Sequence, residues 1–262
     1  MVERLTEERL RPVLGDRPFR FYPQIGSTND VAREWAESGG PHGAIVITEE
    51  QTAGRGRFAH RWQAPPETGL LFSLIVSLDK IRAEMLNILP LTIGVAVAEA
   101  LEKFGVPEVK LKWPNDVLIN GRKVAGILSE AIWNGQTPVL AIVGIGLNVR
   151  VDFSGTELAE HAISLEPASG RPVDRAELLA SLLDKIEQWF NNSSPILATY
   201  DAYGRRNTLR GGRRVTIRFN ENDTEKLPIT GEALNIDLQG RLIVTQDDGE
   251  PLLIHAGEVT LS

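Results

Sequence analysis

The chain has 262 residues, 42% of them hydrophobic and 24% charged, and a formal net charge of -7. That is enough for one large domain or a medium domain with an appendage, and too acidic for a broad duplex-binding surface. There is no cysteine, which excludes disulfides, thiolate metal sites and a cysteine nucleophile together.

The four histidines (His42, His60, His161 and His255) fit no zinc spacing. Met1-Val2-Glu3-Arg4-Leu5 shows no signal pattern, and no apolar run reaches the length of a membrane span, so a cytoplasmic protein is expected. Residues 1–20 read as a polar lead-in with one helix over 6–14. Ser27-Thr28-Asn29-Asp30 then opens a helix that Ser38-Gly39-Gly40-Pro41 ends. A strand over 44–48 runs into Gly54-Arg55-Gly56-Arg57-Phe58-Ala59-His60-Arg61, where three arginines crowd into seven residues of an acidic chain. Glycines let the backbone turn tightly and approach a ligand, and guanidinium forks suit carboxylate and phosphate oxygens, so this segment predicts a site for a small anion. A second strand is expected over 70–78 and a long helix over 84–104, with an irregular entry at Ile88-Leu89-Pro90.

Asn120-Gly121 and Asn134-Gly135 are strong hairpin signals, and they predict a three-strand antiparallel meander over 117–119, 124–132 and 139–149. Asp174 and Glu177 form a capping box ahead of a helix with one apolar face through Trp189. After Gly211-Gly212, short strands over 215–219, 229–238, 242–245 and 252–255 suggest a small β-barrel. The whole reads as α+β, a mixed, largely antiparallel sheet packed with helices, with a domain boundary at the glycine pair.

Several motifs carry chemistry, each with a plainer reading beside it. Lys112-Trp113-Pro114-Asn115-Asp116 is either a turn with a tryptophan anchor or a strand end that presents polar groups. Lys123, ahead of Val124-Ala125-Gly126-Ile127-Leu128, is either an edge lysine or an ammonium turned into the gap beside Gly126. In the second case, attraction for an anion about 4 Å away is on the order of 4 kcal/mol before desolvation. Gly144-Ile145-Gly146-Leu147-Asn148 lacks the third glycine and the helix of a dinucleotide fingerprint, and reads better as a slim strand lining a slot. Trp62 is a core residue or a stacking platform for a base.

In order and spacing these motifs resemble the biotin–protein ligase family, from about residue 20 to the C-terminus. The matching pieces are Ser27-Thr28-Asn29, the arginine segment with Gln51 before it, and the motifs at Lys112, Lys123 and Gly144. The resemblance implies a class II synthetase-like catalytic domain over 1–210 and an SH3-like barrel over 211–262. The family's loop often carries a further glycine where this chain has Phe58-Ala59-His60, which stiffens the loop. The short lead before the motifs leaves too little chain for a DNA-binding domain, so a ligase-only type that binds no DNA is expected.

By the same resemblance the reaction has two steps: biotin and ATP form biotinyl-5′-AMP and pyrophosphate, and a lysine of a biotin carboxyl carrier domain then takes the biotin. Charge neutralisation by Lys123, Arg55 and Arg57, with Mg²⁺ accompanying ATP, would drive the first step. Ser27, Thr28, Asn29, Gln51, Gly56, Gly126, Gly144 and Gly146 carry over as biotin-site residues. Trp62, Lys112, Asn115 and Asn148 carry over to the nucleotide, and Asp116 to catalysis and metal. The rivals are a lipoate–protein ligase and a non-catalytic biotin-binding module. No membrane partner is expected, and free strand edges permit a homodimer without requiring one.

Overall fold

The computed structural model describes residues 4–58, 60–81, 83–219 and 227–261. Ala59 of the arginine segment and Met1, Val2 and Glu3 of the lead lie outside them. Two sheets organise the chain. The first has seven strands, β1 (Phe19–Ile25), β2 (Ile45–Gln51), β3 (Gly69–Ser77), β4 (Val109–Lys112), β5 (Asp116–Ile119), β6 (Arg122–Asn134) and β7 (Thr137–Asn148). Their spatial order is β1-β2-β3-β7-β6-β5-β4. Only β1 and β2 run parallel; the remaining neighbours are antiparallel. The expected meander is therefore present, extended by β4, while β1 falls partly in what the sequence presents as a lead-in.

Strand periodicity separates the two faces of this sheet. Helix α2 (Thr28–Glu37) packs Ala32 and Ala36 on Val46, Ile75 and Ile142. The opposite face meets the main core, where α3 (Leu89–Lys103) and α5 (Arg175–Phe190) bury nearly all their apolar residues. The expected helix over 84–104 is divided: a short 3₁₀ turn at Ala83–Asn87 precedes α3, with Pro90 in the first turn, where its missing N–H costs nothing. Asp174 caps α5 by accepting from the N–H groups of Ala176 and Glu177. Helix α1 (Glu7–Leu14), α4 (Leu165–Ser169) and α6 (Pro195–Arg206) complete the set. No helix among the described residues is long and apolar enough to cross a membrane.

The second sheet holds β8 (Arg213–Arg218), β9 (Ile229–Ile236), β10 (Leu242–Thr245), β11 (Pro251–Ile254) and β12 (Glu258–Leu261), all antiparallel in the order β11-β10-β9-β8-β12. Trp113, buried between the sheets, donates its indole N–H to the carbonyl of Gly240 at 2.9 Å. This bond ties the β4–β5 turn to the β9–β10 turn.

Candidate active site

The α2 face of the large sheet continues past the N-terminus of α2. There the register sets Ser73 beside Gly144, Gly144 beside Leu128, and Gly126 beside Gly146. Small and polar residues replace the apolar ones that α2 covers, and a cavity of about 450 Å³ opens above them. Its walls are the start of α2, the arginine segment, the β4–β5 turn, β6 and β7, and Gly257, Glu258 and Val259 from the second sheet.

One end of the cavity is a hydrogen-bonded polar cluster. Ser27 precedes α2 without a side-chain capping bond, and it lines the cavity. Gln51 Oε1 accepts from the Thr28 backbone N–H at 2.8 Å and from Thr28 Oγ1 at 3.1 Å. Ser73 Oγ lies 2.7 Å from Thr28 Oγ1 and 2.6 Å from Asn29 Oδ1, and its single proton serves one of them at a time. Asn29 is buried because Gly144 makes room for it: a Cβ there would stand 2.3 Å from Asn29 Oδ1. Ser73, a fully buried polar residue within a mostly apolar strand, is the sequence signal that could have pointed to this cluster.

The arginine segment folds back on itself. Arg55 and Arg61 form an antiparallel bridge, the Gly56 N–H donates to the His60 carbonyl at 2.7 Å, and the Trp62 N–H donates to the Gly54 carbonyl at 3.0 Å. Phe58 sits near the tip at φ 51°, in the left-handed region where glycine is favoured. The two arginines diverge. Arg55 pairs with Asp30 at 2.6 Å and Glu130 at 2.9 Å. Burial pulls against its charge, yet Glu130 and then Asp30 hold its pKa above the ordinary value. Arg57 turns the other way, over the Phe58 ring and onto the Gly257 carbonyl at 3.2 Å. Burial lowers its pKa, with the charges of Asp116 and Glu258 opposing.

Lys123 reaches the cavity through an irregularity in the ladder. Residues three apart on a regular strand face opposite sides. Between β5 and β6 the register shifts, so Leu118 pairs with Lys123 and Val117 with Ala125, leaving Val124 as the extra residue. Lys123 and Gly126 therefore share a side, and a Cβ on Gly126 would lie 3.2 Å from Lys123 Nζ. The ammonium pairs with Asp116 Oδ1 at 2.6 Å and stands 5.6 Å from the centre of the Trp62 ring.

The cavity thus gathers Ser27, Thr28, Asn29, Gln51, Arg55, Gly56, Arg57, Trp62, Lys112, Asn115, Asp116, Lys123, Gly126, Gly144 and Gly146. Asn148 is the exception. It is buried, and its amide donates to the carbonyls of Lys123 and Ile163 at 3.4 Å each, so it braces the Lys123 backbone. The slot expected over the glycines is also altered: the Trp62 indole covers Gly146, where a Cβ would stand 2.4 Å from the ring. The indole N–H is buried there with no hydrogen-bond partner among the described residues. Asn115 spends its amide N–H on the Ile127 carbonyl at 2.8 Å. Among the described residues no group of three histidines, aspartates or glutamates could hold a metal. The parts not foreseen are Asp30, Glu130, Ser73 and the Gly257–Val259 wall; the last follows from packing between sheets and has no local signal.

Residues 21–148 match the biotin/lipoate A/B protein ligase family, and residues 211–262 match the biotin protein ligase C-terminal domain. The chain is 34% identical to the bifunctional ligase/repressor BirA of Bacillus spizizenii, over 86% of this chain and 68% of that protein. It is 32% identical to the biotin–[acetyl-CoA-carboxylase] ligase of Mycobacterium tuberculosis, over 96% and 97%. The biotin protein ligase from Aquifex aeolicus, solved in complex with biotin and ATP, superposes with a TM-score of 0.76 at 27% identity, covering 94% of this chain and 98% of that one.

Proposed function

The chain belongs to the biotin/lipoate A/B protein ligase family and is a ligase, and from that premise we propose that it joins biotin to a lysine of a biotin carboxyl carrier domain at the expense of ATP. One observation carries the reading: a single cavity has a neutral hydrogen-bonding end at Ser27, Thr28 and Gln51 and a cationic end at Arg57, Lys112 and Lys123, with Trp62 between. A ureido ring has two N–H donors and a carbonyl acceptor, which suits the first end better than the dithiolane of lipoate does. A carboxylate beside a triphosphate suits the second.

In the first step a biotin carboxylate oxygen bonds to the α-phosphorus of ATP as pyrophosphate leaves. Negative charge crowds at that centre, so fixed cations contribute most. Lys123 and Arg57 supply them, and Asp116 holds the Lys123 ammonium in place. Asp116 would hold a Mg²⁺ that accompanies ATP, and the cation would supply further charge neutralisation. In the second step the acceptor amine attacks the carbonyl of the anhydride and AMP departs. The arginine segment shields the anhydride from water until then. The catalytic residues occupy 1–210 and the second domain 211–262, with Gly257–Val259 closing the nucleotide end.

Exchange of labelled pyrophosphate into ATP, run separately with biotin, lipoate and octanoate, tests the reading. Exchange dependent on biotin is expected; exchange supported only by lipoate or octanoate, or none with any acid, contradicts it.

A further inference from the structure

Glu130 lies in none of the sequence motifs and does not line the cavity, yet it joins two of the cavity's walls. It sits on β6 across from Ile142, on the face that α2 covers. Its Oε2 accepts from the Asn29 amide at 2.7 Å and from Arg55 Nη2 at 3.0 Å, while Oε1 accepts from Arg55 Nη1 at 2.9 Å. Arg55 Nη2 also donates to Asp30 at 2.6 Å. Both terminal nitrogens of the guanidinium are thus engaged by carboxylates, in a geometry that fixes direction as well as charge. On the far side of Asn29 the contacts continue through Ser73 and Thr28 to Gln51. A series of polar side-chain contacts, in which Ser73 donates to one neighbour at a time, runs from the neutral end of the cavity to the first limb of the arginine segment.

We propose that Glu130 is a positioning residue: through Arg55 it holds the arginine segment over the cavity, and through Asn29 it ties that closed position to the biotin-head cluster. Arg55 is then a strut, and the cationic work at the reacting phosphate falls to Arg57 and Lys123. The division follows from the opposite directions of the two arginines. A phosphate seeking Arg55 would have to displace two carboxylates, whereas Arg57 rests on a neutral carbonyl and an aromatic ring. Glu130's role presupposes the biotin–protein ligase reading.

The test uses the full-length enzyme with Glu130→Gln, Arg55→Gln and the double variant, each followed by biotin-dependent pyrophosphate exchange and by escape of biotinyl-adenylate into solution. Glutamine keeps an acceptor for Asn29 and loses the charge that holds Arg55. The expected result is adenylate escape raised roughly tenfold in each single variant, with the double no worse than either, as for two contacting members of one network. The biotin KM should stay near wild type in Glu130→Gln, a split that general loosening of the fold would not produce. Asp30→Asn, on the exposed side of the same arginine, should give a smaller effect of the same kind. Additive effects, a large loss of exchange confined to Arg55→Gln, or unchanged escape in Glu130→Gln and Asp30→Asn would each overturn the proposal. Wild-type enzyme without biotin-dependent exchange would instead overturn the ligase reading itself.

Discussion

Replacing Lys123 by alanine removes a cavity-facing cation and leaves Asp116 without its partner 2.6 Å away. Loss of a preorganised charge at a developing anion costs about a hundredfold or more in rate, so Lys123→Ala should lower the exchange rate by that much while its urea midpoint stays close to wild type. Near-normal turnover would take Lys123 out of the mechanism. Gly146→Ala tests the opposite case, a residue with no chemistry of its own. Its new methyl would stand 2.4 Å from the Trp62 ring, which must move. Overpacking of this kind costs about 1–3 kcal/mol, and the displaced ring should raise the KM for ATP; an unchanged ATP KM would show that the nucleotide does not use Trp62. Both residues were visible in the sequence, but not their geometry. The gap at Gly126 was legible, whereas the extra residue Val124, which puts Lys123 on the same side as that gap, depends on how β5 pairs with β6.

At the scale of elements, a buried ion pair joins the large sheet to a helix it does not follow in sequence. Arg175, in the first turn of α5 and fully buried, meets Glu49 of β2 at 2.6 and 2.9 Å and also donates to the Gly69 carbonyl at 3.0 Å. Glu49 additionally accepts from the backbone N–H groups of Leu5 at 2.5 Å and Glu67 at 3.2 Å. Removing one member of a buried pair leaves the other uncompensated at about 3–5 kcal/mol. Arg175→Met should therefore lower stability by that order in urea unfolding, and Glu49→Leu in the same chain should recover part of it. Elements with local signatures were read from sequence: the Asn-Gly hairpins, the Asp174 cap and the glycine stop of α2. Strands β1, β4 and β12 and helices α4 and α6 were missed. β1, β4 and β12 are edge strands that gain their identity from one neighbour each, β2, β5 and β8. The seven charged or strongly polar side chains that form the head cluster and its link to the loop come from α2, β2, β3, β6 and the arginine segment, and no spacing along the chain announces their meeting.

At the scale of the whole molecule, the second sheet completes the cavity that the first begins. Arg57 bonds Gly257 and His60 lies 3.5 Å from Glu258, so the arginine segment leans on both sheets. Their relative position depends in part on Trp113. Trp113→Phe keeps a ring in the core but leaves the Gly240 carbonyl without its donor, a loss of about 1–3 kcal/mol if the carbonyl stays dry. Lower thermal stability together with a raised ATP KM is expected; lower stability alone would confine the bond to a structural role. The product distinguishes a biotin ligase from its rivals. Incubating the enzyme with ATP, an equimolar mixture of biotin and lipoate, and a purified biotin carboxyl carrier domain tests this most directly, with intact-mass and peptide spectra read against a carrier whose acceptor lysine is arginine. One biotinyl group on that lysine and none on the arginine control is expected; a lipoylated carrier, or an unmodified one while AMP accumulates, would overturn the assignment as a biotin ligase.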